Sequence, residues 1–92
     1  MEQTNTARPE QLLEAARITM EASEYCFLVT SGAVGADARL MQPFAPDEDL
    51  SVRFGTSPSS RKAREIRADD RVVLAYSDPT EIAYVVLKGT AA

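Results

Sequence analysis

The period of the apolar residues changes abruptly midway along the chain. Residues 50–54 alternate apolar with polar side chains, the period of a strand, whereas Ala63 and Ile66 recur at the spacing of a helix. We expect a strand–turn–helix corner here, with Ser57 as the N-cap and Pro58 at the first helical position. Such a corner restricts the chain to folds that combine strands with helices.

This corner carries groups that suit a phosphate. Hydroxyl groups and free backbone amides surround the expected helix start, and Arg61 and Lys62 follow in the first turn. Basic side chains at a helix start oppose the helix dipole, and a bound anion would relieve that cost. The alternative is a well-capped surface helix, and its solvated face would carry Arg61, Lys62, Arg64 and Arg67. The residues alone leave both interpretations open.

Composition limits the classes of function. The 92 residues suffice for one small domain, and a net charge of −4 argues against general attraction to nucleic acid or to a membrane surface. Histidine is absent from the sequence, so we expect neither a metal site nor a histidine proton shuttle. Cys26 lies in an apolar run, where a buried, inert thiol is expected. Without a recognisable signal sequence or an apolar stretch long enough to span a bilayer, we expect a cytoplasmic protein.

The remaining pattern predicts a single α+β domain over residues 9–92, after a flexible N-terminus of residues 1–8. The expected elements are a helix over 9–22, a meander of strands over 24–30, 36–44 and 50–55, a second helix over 58–68, and a hairpin of strands over 71–77 and 82–89. Short antiparallel strands with one inserted helix favour a small barrel or strongly bent sheet of about five strands. The last strand is apolar and would leave an open edge, so we expect a second copy of the chain to cover it in a homodimer.

Three stretches carry a family resemblance through their order and spacing: ARLMQPF at residues 38–44, FGTSPSSRK at 54–62 and RVVLAYSD at 71–78. Together they resemble the pyridoxamine 5′-phosphate oxidase-like FMN-binding split-barrel family, including its small general-stress-protein branch. The resemblance implies an antiparallel split β-barrel, a homodimer of two such barrels, and FMN at the seam between the subunits.

The resemblance also implies the cofactor contacts, residue by residue. Residues of the second strand would lie against the flavin: Arg39, Leu40, Met41 and Gln42. Residues of the corner would surround its phosphate end, with Arg61 and Lys62 gripping the phosphate beside Gly55, Thr56, Ser57 and Ser60. A deazaflavin is the alternative cofactor. Members of the family commonly extend further at the C-terminus by a strand and often a helix, so we expect contacts from that segment to be missing here.

The leading hypothesis is a flavin-binding, oxidoreductase-like protein in which FMN carries the electron transfer to or from a small-molecule substrate. The alternative is a non-catalytic, stress-associated module that holds a flavin, a deazaflavin or haem, since no acid–base residue can be identified. A third hypothesis, nucleic-acid binding through the basic second helix, is disfavoured by the acidic character of the chain.

Overall fold

Two helices and four strands make up the fold, as seen in a computed structural model that describes residues 8–92. The expected flexible segment, except for Arg8, lies outside the described residues. The elements are α1 (Pro9–Ala22), β1 (Cys26–Gly32), β2 (Gly35–Met41), α2 (Arg61–Ala68), β3 (Arg71–Asp78) and β4 (Ala83–Thr90). None of the helices in this part of the chain is long and apolar enough to cross a membrane.

The strands form one antiparallel sheet in the order β2-β1-β3-β4. The predicted α+β class is confirmed, and the sheet stays open, as in a split barrel. The two predicted hairpins are present, and β4 lies at an edge of the sheet, as expected. In place of the third strand of a meander, β3 pairs with β1, for example at Leu28 opposite Leu74.

The strand expected over residues 50–55 does not form, so the sheet has four strands instead of about five. Residues 42–57 are irregular, and Leu50 has a φ of 67°, a left-handed conformation that interrupts an extended backbone. Backbone hydrogen bonds join the two halves of this segment, from the Phe44 N–H to the Arg53 carbonyl (3.0 Å) and from the Asp47 N–H to the Ser51 carbonyl (2.9 Å). The alternating apolar side chains still pack against the core, and these are Leu50, Val52 and Phe54.

The helix α1 has the predicted bounds, and Pro9 occupies its first position. Met20 is buried in the core, whereas Leu12 and Leu13 are exposed. Near its middle, the Arg17 guanidinium donates to backbone carbonyls of the irregular segment, including that of Asp47 (2.8 Å). The helix therefore anchors the segment that covers the sheet.

The two faces of the sheet differ in their surroundings. The inner face, covered by α1 and the irregular segment, carries a small core of Met20, Cys26, Leu28, Leu74 and Tyr76. A cleft of about 650 Å³ opens on this face between the irregular segment and the end of β4. The outer face carries a row of register partners that have no cover within residues 8–92: Phe27, Leu40, Ala75 and Val86.

Candidate functional site

The helix of the predicted corner begins one turn later than expected. Ser60 is the N-cap of α2, and its Oγ accepts a hydrogen bond from the Ala63 N–H (3.2 Å). Ser57 and Pro58 belong to a preceding turn instead, closed by the Ser60 N–H donating to the Ser57 carbonyl (3.1 Å). The predicted N-cap is therefore wrong. Serine followed by proline suits the first two positions of a β-turn as well as a helix start, and here the turn is formed.

The hydroxyl groups of the corner lie together on this turn. Ser57 Oγ is 3.0 Å from Ser59 Oγ, and Thr56 Oγ1 is 3.4 Å from Ser60 Oγ. Gly55, which precedes them, has open space on its side-chain face, since an added Cβ would meet no atom within 4 Å. The turn therefore presents several hydroxyl groups beside a backbone that an incoming ligand can approach.

Two arginines of α2 stabilise the turn from behind. Arg67 donates from its guanidinium to the Pro58 carbonyl (3.0 Å), and Arg64 donates to the Ser59 carbonyl. The expected basic face of the helix is thus partly engaged with its own chain. Arg61 and Lys62 are the cations at the helix start. Arg61 pairs with Asp37, whereas within residues 8–92 the Lys62 ammonium has no carboxylate partner.

A polar cluster joins β1, β2 and α2 on the inner face. The buried Thr30 hydroxyl donates to Glu65 Oε1 (2.7 Å), and Arg39 donates to Thr30 Oγ1 (2.9 Å) and to Glu65 Oε1 (3.2 Å). The hydrogen bond from Thr30, followed by the influence of Arg39, holds the pKa of Glu65 below its ordinary value despite some desolvation. Glu65 is therefore a fixed anion that orients Arg39.

Gly32 makes room for this carboxylate at the end of β1. A Cβ placed there would lie 2.5 Å from Glu65 Oε2, closer than real contacts allow. The absence of a side chain at this position leaves room for the Glu65 carboxylate beside the strand.

Asp37 connects the cluster to the helix start. Its Oδ2 accepts a hydrogen bond from Arg39 (3.1 Å) and also one from the Arg61 guanidinium. Arg39, only 19% exposed at its side chain, and Arg61, 67% exposed, therefore converge on a single carboxylate oxygen. Arg39 and Arg61, both predicted as site residues from the sequence, are thus brought together by Asp37, which was not predicted.

The other residues expected along the flavin point in different directions. Leu40 lies on the outer face and is 58% exposed, whereas Met41 lies on the inner face and packs against the core. Gln42 follows the end of β2 and lines a separate cleft beside Tyr76. Neighbouring strand residues alternate between faces, so these three side chains do not form one wall within a single chain.

Cys26 and Tyr76 lie opposite each other in the core, apart from the polar cluster. Both side chains are buried, as predicted for Cys26, and burial raises the pKa of the Cys26 thiol and that of the Tyr76 hydroxyl. Neither group is suited to exchange protons near neutral pH. The expectation that Cys26 is a buried thiol is confirmed.

Residues 12–92 match the model of a family described as pyridoxamine 5′-phosphate oxidase like. The chain belongs to this family. Among curated proteins none matches the sequence. Among solved structures, the protein Atu2129 of Agrobacterium tumefaciens, described as being of unknown function, superimposes with a TM-score of 0.70 at 14% identity. That alignment covers 98% of this chain and 41% of Atu2129, so the chain spans less than half the length of this neighbour. At this identity the likeness concerns the fold alone.

The pyridoxamine 5′-phosphate oxidase-like family is generally associated with flavins, and the donor set at the corner fits the phosphate end of a flavin nucleotide. Arg39 and Arg61 already hold an anionic oxygen between them, that of Asp37, and Lys62 and the turn hydroxyls lie at the adjacent helix start. Sequence reasoning missed Thr30, Asp37 and Glu65. The sequence did carry a signal for Thr30 and Asp37. Each is a polar residue at a strand position whose alternation with its neighbours places it on the core face.

Proposed function

We propose that the chain binds FMN by its phosphate at the corner between β2 and α2 and serves as a flavin-dependent oxidoreductase for a small-molecule substrate. The observation that carries the proposal is the convergence of Arg39 and Arg61, from two different elements, on one anionic oxygen. Paired guanidinium groups are a typical means of recognising phosphate. Membership of a flavin-associated family supports the identity of the ligand.

In this proposal, different groups of the corner make different contacts with the phosphate. Arg61 and Lys62 supply charge, the first-turn amides of α2 supply donors, and the hydroxyl groups of Ser57 and Ser60 supply further hydrogen bonds. Gly55 and Thr56 border the same turn. Arg39 is held in orientation by Glu65, so its guanidinium is preorganised for an anion.

These polar contacts do not suffice for tight binding. Charge-assisted hydrogen bonds contribute roughly 1.5–3 kcal/mol each, and association costs at least about 4 kcal/mol. The flavin ring therefore needs an apolar wall, which Leu40 and Met41 of one chain do not form together because they lie on opposite faces. We propose that a second copy of the chain completes this wall in a homodimer, and the exposed outer face with Leu40 and Phe27 supports such pairing.

When bound, FMN would supply the electron-transfer chemistry, and a deazaflavin is the alternative. The residues of this chain bind and orient it. Asp37 and Glu65 are engaged by arginines, and Tyr76 and Cys26 are buried, so we assign none of them a proton-transfer role. Protons exchanged in the reaction would then come from the substrate or from solvent.

Sedimentation velocity of the protein mixed with FMN, followed at the visible absorption band of the flavin, tests the proposal. We expect the flavin to sediment with a species of twice the mass of the chain. Flavin that stays at the sedimentation rate of the free molecule, at protein concentrations of about 100 µM, would contradict the proposed binding, since a cofactor site needs at least micromolar affinity. Flavin that sediments with a species of single-chain mass would contradict the homodimer alone.

A further inference from the structure

We propose that Asp37 sets the affinity of the corner for anions, because its carboxylate occupies the guanidinium groups that an incoming phosphate must take. Binding would then exchange the Arg61–Asp37 contact for an Arg61–phosphate contact. This inference rests on the proposed function only for the identity of the phosphate ligand.

The geometry of the contact supports the exchange. A single oxygen of Asp37 accepts from both Arg39 and Arg61, so it takes the position between two guanidinium groups that suits a phosphate oxygen. Asp37 comes from β2 and Arg61 from α2, so the contact is not imposed by sequence proximity. An acidic side chain in this place neutralises the charge that would attract a ligand.

The hydrogen-bond partners of Arg39 and Arg61 indicate which of the two arginines changes partner when a phosphate binds. Arg39 is mostly buried and keeps Thr30 and Glu65 as acceptors without Asp37. Arg61 is mostly exposed, and Asp37 is its one carboxylate partner in the part of the chain that the structure describes. Exposed ion pairs are weak, so Arg61 can change partner at small cost while Arg39 stays in place.

The charges of the polar cluster also favour the exchange of Asp37 for a phosphate at Arg61. Arg39 and Arg61 are balanced by Asp37 and Glu65, so these two guanidinium groups offer no excess of positive charge to a phosphate dianion while Asp37 stays in place. Glu65 is fixed by the Thr30 hydroxyl and cannot withdraw without breaking a partly buried hydrogen bond. Asp37 is the carboxylate that can leave.

The test compares wild type with Asp37→Asn, which removes the charge and keeps the shape of the side chain. We expect FMN to bind Asp37→Asn about threefold to tenfold more tightly, since one exposed competing ion pair is removed. Riboflavin, which lacks the phosphate, should bind both proteins equally. The matched control is Asp47→Asn, which makes the same change of charge at an exposed aspartate paired with Arg53 on the irregular segment, and it should leave the FMN affinity unchanged.

Inorganic phosphate provides a second probe that does not depend on a flavin. Its binding is followed by NMR at the Nε–H signal of Arg61, and we expect the Asp37→Asn protein to bind it more tightly than wild type by a similar factor. Equal or weaker binding of phosphate by a folded Asp37→Asn protein overturns the inference. Failure of both proteins to bind FMN, with the difference in phosphate affinity present, contradicts the proposed function and supports the role of Asp37.

Discussion

Glu65 links the stability of the corner to pH. Its carboxylate accepts hydrogen bonds from Thr30 and Arg39, and its pKa is lowered from the ordinary value of 4.5. Because the folded state holds this proton less tightly than the unfolded state, the stabilisation is complete above about pH 4.5 and is lost as the pH falls through the folded pKa. The cluster should therefore weaken in acid before the core does.

We expect Glu65→Gln to flatten this part of the pH profile. Between about pH 5 and about pH 3, the midpoint of urea unfolding should fall less in the variant than in wild type, because the titrating group is gone. The control is Glu14→Gln, at an exposed position on α1, which should keep the wild-type slope. A Glu65→Gln profile parallel to that of wild type would show that this carboxylate does not couple folding to protonation.

At this scale the sequence identified the cations better than the anions. Arg39 and Arg61 were predicted from a resemblance and from a helix start, and the structure brings both to one oxygen. Asp37 and Glu65 were not predicted. Glu65 is typical of an exposed position when viewed along its own helix, and the core-face parity of Asp37 in β2 does not indicate which cations it contacts. Their roles arise from the pairing of β1 with β2 and from the approach of α2 to Gly32, which are contacts between elements.

At the scale of elements, α2 has its cap at Ser60, and this assignment can be tested against Ser57. Ser60→Ala should destabilise the protein by about 1 kcal/mol, because the Ala63 N–H loses its acceptor. Ser57→Ala should cost less than half of that, since its hydroxyl lies in an exposed turn. Urea unfolding of the two variants measures the difference, and a larger loss for Ser57→Ala would place the helix start at Pro58 instead.

The irregular segment shows which part of a strand pattern is informative. Residues 50–54 alternate as a strand does, and Leu50, Val52 and Phe54 do lie against the core. Alternation reports which side chains are buried, but it does not report whether the backbone finds a partner strand. The left-handed conformation at Leu50 belongs to a turn closed by the Leu50 N–H donating to the Asp47 carbonyl, and the few backbone hydrogen bonds on either side of this turn do not make a strand. By contrast, the bounds of α1 were predictable because Pro9 fixes its start.

At the scale of the whole molecule, an open four-stranded sheet has apolar residues on both faces. The inner face is covered by α1 and the irregular segment, and it leaves a cleft beside the end of β4. The outer face exposes half of the Phe27 side chain and more of Leu40. The α+β class and the antiparallel hairpins followed from short apolar runs and turn residues, whereas the pairing of β3 with β1 did not. No element within residues 8–92 covers the outer face, and we therefore propose that a second copy of the chain packs there.

The central claim is that this corner recognises the phosphate of a flavin nucleotide, and the most direct test compares FMN with riboflavin. In a titration followed by quenching of flavin fluorescence, wild type should bind FMN at least about tenfold more tightly than riboflavin, because only FMN reaches the cations and amides of α2. In the double variant Arg61→Glu, Lys62→Glu this preference should vanish. Equal affinity of wild type for the two flavins, or an FMN preference that survives the double substitution, would contradict the account.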